Sequence, residues 1–283
     1  MNRISAYLCL LFLLIPFLGT AQIKVISDID YLPEESYENN KDLLDIYMPE
    51  GAKDVPVIVY FHGGALLQGD KSWGKDIGTR VAESGVGLIS VNYRLSPGVQ
   101  HPAHTQDAAA ATAWVIKYIK HYGGDPEKVY VGGHSAGAYL AALLALDSEL
   151  IKEAGIDTPS LAGAVLISAF LYVEETAKDR TARDSIYQSI WGMNPQDWFK
   201  ASVSPHLGPN RDNLLLIYAD GDEDWRKEQN QRLVQVLRNA GNQRVKYQEV
   251  PNRNHLSLLT DILAEDDQIV QLLCNFILNP SDD

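Results

Sequence analysis

Residues 129–146 read VYVGGHSAGAYLAALLAL, a β-rich run that reaches two glycines, a histidine and a serine and then continues as alanine and leucine. The first part favours a buried strand and the last part a helix. Residues 133–137 (GHSAG) match G-x-S-x-G, in which a serine stands on a sharp strand-to-helix turn and flanking glycines let the turn close. A tight turn without chemistry needs the same small residues, so the rest of the sequence has to decide whether Ser135 is a nucleophile.

The N-terminus has the layout of a secretory signal peptide. Residues 1–21 combine an early Arg3, an apolar run from Tyr7 to Leu18 and a small-residue ending, which predicts cleavage before Gln22. The apolar run is shorter than the roughly 20 residues that span a bilayer. We therefore expect an exported protein, periplasmic or secreted, without a stable membrane anchor.

The composition predicts one α/β domain over residues 22–283, since no linker or repeat divides them. Apolar residues make up 46% of the chain, which can supply a large core. Cys9 leaves with the signal peptide, so Cys274 has no intramolecular disulfide partner. The formal charge of −13 repels nucleic acid and anionic lipid, and neither is expected as a partner.

Strand-like and helix-like segments alternate along the chain. Strand-like runs lie at 23–29, 43–48, 56–61, 86–92, 128–132, 161–168, 213–218 and 244–250, and the clearest helices at 105–121, 136–147, 227–240 and 265–278. Several of the strand-like runs are unbroken apolar runs, which are typical of strands buried on both faces. The alternation predicts a mostly parallel sheet with helices on both faces.

Residues 171–212 interrupt this alternation directly after a strand. In open α/β sheets the ligand crevice lies beyond the carboxyl ends of the strands, so an insertion there can form a lid or a pocket wall. It can equally be a surface excursion with Trp191 and Trp198 as its own small core, and both interpretations stay open.

A second glycine pair follows the run 56–61, in the sequence His62-Gly63-Gly64-Ala65. Acyl transfer places negative charge on the former carbonyl oxygen, and one preorganised N–H donor at that point is worth about 3–4 kcal/mol. Glycine lets the backbone approach closely enough to aim such donors. An HGG after a buried strand and upstream of G-x-S-x-G therefore favours an oxyanion hole over a simple turn.

A nucleophilic serine needs a base, and the base needs an orienting acid. In the chain order serine, acid, histidine, only His206 and His255 follow Ser135, and His206 precedes every good acid candidate. His255, in a polar turn after the last strand, is therefore the predicted base. For the acid we favour Asp222, with Asp224 as the alternative. Asp220 is better suited to a turn, in which its side chain accepts hydrogen bonds from nearby backbone N–H groups.

Two other groups of polar residues suggest metal ions only weakly. His101 and His104 are three residues apart without accompanying cysteines or carboxylates, which favours a solvent-facing helix start over zinc. The acidic residues 220–224 lack the twelve-residue pattern of a calcium loop. No metal site is predicted.

The HGG at 62–64, the run 92–97 (NYRLSP), the GHSAG at 133–137 and the late Asp222 and His255 together resemble the α/β-hydrolase esterases. The nearest resemblance is to hormone-sensitive-lipase-like carboxylesterases and bacterial feruloyl-esterase-type proteins, and it spans roughly residues 25–278. It implies an eight-stranded, mostly parallel sheet, no cofactor, and ester hydrolysis through an acyl-enzyme.

The resemblance also assigns roles to individual residues. Ser135 would be the nucleophile, His255 the base and then the acid, and Asp222 the carboxylate that orients the imidazole. The N–H groups of Gly64, Ala65 and Ala136 would form the oxyanion hole. Many members of these families have a third glycine at the position of Ala65. The methyl group of Ala65 would narrow the nearby substrate pocket, which disfavours bulky esters.

These observations predict an exported serine esterase that acts on small soluble acyl esters, with acetyl or feruloyl groups on carbohydrate as candidates. The same triad could instead cleave an amide, as in a formamidase or peptidase. A binding protein that keeps the fold without catalysis is the third alternative, although such proteins typically lose the serine or the histidine.

Overall fold

The computed structural model describes residues 22–35, 37–157, 161–208, 213–264 and 267–280, so the predicted signal peptide 1–21 lies outside the described residues. Eight strands form one sheet in the order β1-β2-β4-β3-β5-β6-β7-β8. The strands are β1 Ile23–Asp30, β2 Leu43–Pro49, β3 Val55–Phe61, β4 Gly87–Val91, β5 Gly124–His134, β6 Gly163–Ile167, β7 Leu214–Ala219 and β8 Val245–Val250. Neighbouring strands from β4 to β8 in this order are parallel, whereas β2 is antiparallel to both β1 and β4. The predicted eight-stranded, mostly parallel sheet is confirmed.

Helices cover both faces of the sheet. They are α1 Lys75–Glu83, α2 Ala103–Tyr118, α3 Ala136–Leu146, α4 Glu149–Glu153, α5 Val173–Arg183, α6 Gln188–Trp191, α7 Pro195–Lys200, α8 Asp224–Asn239, α9 Ser257–Thr260 and α10 Gln268–Leu278. Short 3-10 turns lie at Glu38–Asn40, Lys71–Gly74, Ile119–Tyr122, Ser185–Tyr187 and Ser204–His206. Within the described ranges, no helix combines the length and the apolar character needed to cross a membrane.

The ends of some elements differ from the sequence prediction. Strand β5 begins at Gly124 rather than at residue 128, and α8 begins at Asp224, three residues earlier than predicted. The helix predicted from residue 265 is described from Gln268, where the Asp267 carboxylate accepts a hydrogen bond from the Val270 N–H and caps the helix.

Residues 171–208 fold as short helices that pack on the main body. Trp191 and Trp198 are buried in the same apolar core as Tyr139 and Phe170, so they do not form a separate small core. The Trp191 ring meets the Phe170 ring edge to face at 5.8 Å, and Phe170 stacks on Tyr139 at 4.7 Å. The remaining residues of the predicted insertion, 209–212, lie outside the described residues.

The two glycines of GHSAG are required by close backbone packing. A Cβ atom on Gly137 would lie 1.8 Å from the carbonyl oxygen of Phe61, at the end of β3. A Cβ atom on Gly133 would lie 2.5 Å from the same oxygen. Because a backbone carbonyl cannot move away as a flexible side chain can, only glycine allows α3 to start this close to β3.

The substitution Gly137→Ala is therefore expected to destabilise the fold by about 1–3 kcal/mol or more, as overpacking does. Gly208→Ala is the matched control, since a Cβ atom there meets nothing within 4 Å. Chemical denaturation of both variants measures the effect, and equal stabilities would refute this packing argument.

Candidate active site

The candidate site residues lie where parallel strands end. The glycine loop 62–65 follows β3, Ser135 follows β5, Asp222 follows β7 and His255 follows β8. Because the carboxyl ends of parallel strands lie at one edge of a sheet, residues far apart in the sequence come together there.

Ser135 occupies the single position between β5 and α3. Its φ of 55° and ψ of −112° are unusual for a residue with a side chain. Its N–H donates to the Ile167 carbonyl at the end of β6 over 2.8 Å, and its carbonyl accepts from the Tyr139 N–H. The neighbouring strand and helix therefore hold the serine in this strained conformation.

The structure brings three of the predicted site residues into one hydrogen-bonded series. Ser135 Oγ lies 3.0 Å from Nε2 of His255, and Nδ1 of His255 lies 3.1 Å from Oδ1 of Asp222. The Asp222 side chain is fully buried, and that of His255 is 29% exposed. This is the geometry in which an imidazole can take a proton from a serine while a carboxylate fixes its orientation.

Of the three aspartates after β7, only Asp222 contacts His255. The Asp224 side chain is 91% exposed and pairs with Lys227 at 3.2 Å. Asp220 accepts hydrogen bonds from the N–H groups of Asn252 and Arg253 and so closes the turn before His255.

Asp222 is held in its charged form. Burial raises the pKa of its carboxyl group, but hydrogen bonds from His255, the Ala219 N–H and the Ser168 hydroxyl outweigh this and leave the pKa below its ordinary value. An ionised carboxylate at this position can stabilise a positive charge on His255.

Ser168, at the end of β6, is part of the site and was missed by the sequence analysis. Its hydroxyl lies 2.8 and 2.7 Å from the two Asp222 carboxylate oxygens and 2.8 Å from His255 Nδ1. It is fully buried, with a φ of 51°. The available signal was its position directly after a buried strand, next in sheet order to the strand that ends at His134.

His134, the residue between Gly133 and Ser135 in GHSAG, holds the backbone of His255 in place. Its Nε2–H donates to the His255 carbonyl over 2.8 Å, and the two rings lie 4.5 Å apart. Burial, the largest cause, and the nearby His255 ring together lower the pKa of His134 to about 3. His134 is therefore neutral at physiological pH and fixes the backbone of the loop that carries His255.

The glycine loop offers free backbone donors beside the serine. Gly64 and Ala65 line the same cleft as Ser135. In the part of the chain that the structure describes, the N–H groups of Gly64, Ala65 and Ala136 have no hydrogen-bond acceptor. Gly64 and Ala65 have φ values of 108° and 57°, so the loop holds two successive residues in left-handed backbone conformations.

His62 anchors this loop from within. Its ring stacks on Tyr93 at 4.3 Å, and the Tyr93 hydroxyl donates to the His62 carbonyl over 2.7 Å. Burial lowers the pKa of His62 to about 4, so this ring is also uncharged at neutral pH. The loop is thus fixed by packing and hydrogen bonding rather than by charge.

The cleft around Ser135 has a volume of about 550 Å³. Trp73, Leu256 and Leu259 contribute apolar surface to it, while Arg180 and Tyr187 come from the segment that interrupts the sequence alternation. Trp73 and Leu256 are 53% and 66% exposed, so apolar surface is available to a ligand.

The expected solvent-facing position of the histidine pair 101 and 104 was wrong for His104. His104 is fully buried with Nε2 3.2 Å from the Ser96 hydroxyl, and burial lowers its pKa to about 3. Across the described ranges, no group of three or more His, Cys, Asp or Glu residues is arranged to hold a metal ion.

A family model described as an alpha/beta hydrolase fold matches residues 58–259, which include the glycine loop, GHSAG, Asp222 and His255. The chain belongs to this family. This agrees with the resemblance to α/β-hydrolase esterases that the sequence motifs indicated.

Two relatives match most of this chain at less than 30% sequence identity. Esterase LipQ of Mycobacterium tuberculosis is 29% identical over 241 residues, which are 81% of this chain and 56% of LipQ. Kynurenine formamidase of Salmo salar is 26% identical over 245 residues, which are 83% of this chain and 78% of that protein. This chain thus spans little more than half the length of LipQ.

The fold is shared with a solved structure described as a truncated form of a carbohydrate esterase from gut microbiota. The TM-score is 0.76, with 93% of this chain and 98% of that chain covered. The sequence identity is 22%, so this likeness concerns the fold alone.

The substitution Ser168→Ala tests the role of the missed serine. Losing a buried hydrogen bond to a charged group is expected to cost about 1–3 kcal/mol of unfolding free energy at neutral pH. The substitution Ser168→Ala is also expected to raise the folded-state pKa of Asp222, because one of the hydrogen bonds that lower this pKa is lost. A depressed carboxyl pKa stabilises the fold above the unfolded-state pKa, and this contribution is lost as the pH falls through the folded-state value.

The loss of unfolding free energy caused by Ser168→Ala should therefore become smaller at pH values below 3.8, the ordinary pKa of this carboxyl group. Ser202→Ala is the control, because the described hydrogen-bond partners of the buried Ser202 hydroxyl are neutral: the Leu171 carbonyl and the hydroxyl and N–H of Ser204. Denaturant unfolding of both variants at neutral pH and at a pH below 3.8 checks this. A loss of unfolding free energy in Ser168→Ala that is the same at the two pH values would contradict it.

Proposed function

We propose that the chain is a serine carboxylesterase that hydrolyses small soluble acyl esters through an acyl-enzyme on Ser135. The observation that carries this proposal is the series of hydrogen bonds from Ser135 through His255 to Asp222, in a cleft open to a ligand. The family assignment and a relative named as an esterase support ester hydrolysis.

In the first half of the reaction, Ser135 Oγ attacks the ester carbonyl carbon while His255 Nε2 accepts the hydroxyl proton. Asp222 accepts the Nδ1–H of His255 and stabilises the imidazolium. The N–H groups of Gly64, Ala65 and Ala136 stabilise the negative carbonyl oxygen of the tetrahedral intermediate. His255 then donates its proton to the alcohol, which leaves.

In the second half, water replaces the alcohol. His255 takes a proton from this water as it attacks the acyl carbonyl, and the same N–H groups stabilise the second tetrahedral intermediate. Collapse of this intermediate returns the proton to Ser135 and releases the acid. Each step uses groups of this chain, and none needs a metal or a cofactor.

The substrate proposal follows from the shape of the cleft and from the N-terminal sequence. Ala65 lines the cleft, and its methyl group takes up space beside the proposed oxyanion donors that a glycine would leave open, which favours small acyl groups such as acetyl. The exposed Trp73 ring offers a surface on which a sugar or a hydroxycinnamoyl (feruloyl) ring can pack. We propose export, to the periplasm or outside the cell, from the signal-peptide pattern of residues 1–21.

Substitutions of the triad test the mechanism. Ser135→Ala is expected to lower kcat for 4-nitrophenyl acetate by about 10⁶-fold, and Asp222→Asn by about 10⁴-fold. Asp224→Asn is the matched control, since its exposed side chain does not reach His255. Activity of Ser135→Ala at the parent rate, or an Asp224→Asn defect as large as that of Asp222→Asn, would refute the assignments.

Cleavage of an amide by the same residues is the second candidate function. The observation that favours it is the similarity to kynurenine formamidase, which extends over most of both chains. We expect kcat/KM for a 4-nitrophenyl ester to exceed that for the matched 4-nitroanilide and for a formanilide by orders of magnitude. A preference for either amide would replace the esterase proposal with an amidase.

A further inference from the structure

Two arginines line the cleft that contains Ser135, Arg180 from α5 and Arg226 from α8. Their guanidinium carbons lie 5.7 and 4.5 Å from the centre of the same Trp225 ring. The two positive charges are therefore neighbours. Burial, the largest cause, lowers the pKa of Arg226 to about 10; Asp222 works against this lowering and the charge of Arg180 adds to it.

Arg226 is fixed in place and its charge is largely balanced. Its side chain is 5% exposed, one terminal NH2 group donates to the Ser168 carbonyl over 2.9 Å, and Nε lies 3.7 Å from Asp222 Oδ1. Nε is too far from this carboxylate for a hydrogen bond and has no other partner among the described residues. Arg226 thus supports the triad and also forms part of the cleft wall.

Arg180 has no such counterion. Among the described residues no carboxylate oxygen lies within 4 Å of its guanidinium group. Its guanidinium carbon lies 5.1 Å from the centre of the Tyr187 ring and also packs against Trp225. Two aromatic rings thus orient an unpaired positive charge at the cleft, which lowers the entropy cost of binding an anion.

Asp76 is the acidic residue among the described residues that line the cleft, and it lies across the cleft from the two arginines. Asp76 is on α1, which packs on β2 and β4, whereas α8 packs on β7 and β8. In the strand order, β2 and β4 lie on one side of β5, and β7 and β8 lie on the other. Ser135, which follows β5, therefore lies between Asp76 and the arginines. The charged residues that line the cleft are therefore unevenly placed, with the two arginines at one end and Asp76 at the other. Glu175, Asp179 and Glu223 line a neighbouring pocket with Arg180 but not the cleft itself.

We propose that Arg180, together with Arg226, binds a carboxylate carried by the substrate, so that the preferred substrates are esters with an ionised carboxyl group near the ester bond. Guanidinium groups suit this role because their planar N–H donors match a carboxylate. The inference rests on the proposed esterase function. The protein as a whole carries a charge of −13 and repels anions at long range, so recognition of such a substrate needs this local positive charge.

Paired substrates test the subsite. One pair places the carboxylate on the acyl group, as mono-4-nitrophenyl glutarate against 4-nitrophenyl butyrate. The other places it on the alcohol, as 4-acetoxybenzoate against 4-acetoxybenzamide. In one of the two pairs, Arg180→Gln is expected to lower the anionic-to-neutral ratio of kcat/KM by about 10- to 100-fold, the effect of losing a charge-assisted hydrogen bond.

Lys178→Gln is the matched control, because it removes the same charge from the exposed face of the same helix without lining the cleft. It should leave both ratios unchanged, whereas Arg180→Lys should restore part of the loss. Equal ratios in the wild type and Arg180→Gln, for both pairs, would overturn the subsite while the esterase function stands. Hydrolysis of none of the four esters by the wild type would overturn the proposed function itself.

A second measurement needs no variant. Benzoate should inhibit hydrolysis of 4-nitrophenyl acetate by the wild-type protein at lower concentration than benzamide, and added salt should weaken the difference. Equal inhibition by the two compounds would overturn the subsite even if Arg180→Gln failed to fold.

Discussion

The contact between the first turn of α3 and the end of β3 is the constraint on which the rest of the site depends. With no room for a side chain at Gly137 or Gly133, the backbone of α3 lies directly against the Phe61 carbonyl. This contact places Ser135 beside the loop that follows β3, so the serine and the free N–H donors share one cleft. A wider turn would separate Ser135 from the N–H groups that, in the proposed mechanism, stabilise the tetrahedral intermediate.

Much of the fold could be predicted from the sequence because buried parallel strands and their helices leave long apolar runs. The ends of elements were less accurate, since they depend on local hydrogen bonds such as the Asp267 cap of α10. The tryptophans of the segment 171–212 show another limit. Apolar residues in a polar stretch indicate burial, but only the folded chain shows that Trp191 and Trp198 join the main core.

For the site, the sequence order named Ser135 and His255, but it left Asp222 and Asp224 open because both lie on the same loop. The three-dimensional fold separates them, with one carboxylate buried against the imidazole and the other in solvent. Ser168 had no motif to identify it. Its relevance comes from the register of β6 beside β7, which brings its hydroxyl to Asp222.

The histidine within GHSAG has a consequence for the electrostatics of the reaction. In the proposed mechanism His255 becomes positively charged when it accepts the serine proton, with the centre of the His134 ring only 4.5 Å from that of His255. A cation at that distance would oppose the proton transfer, but burial keeps His134 neutral, and its one N–H is already committed to the His255 carbonyl. The residue between Gly133 and Ser135 thus supplies rigidity without charge, next to the ring whose charge changes in each turnover of the proposed reaction.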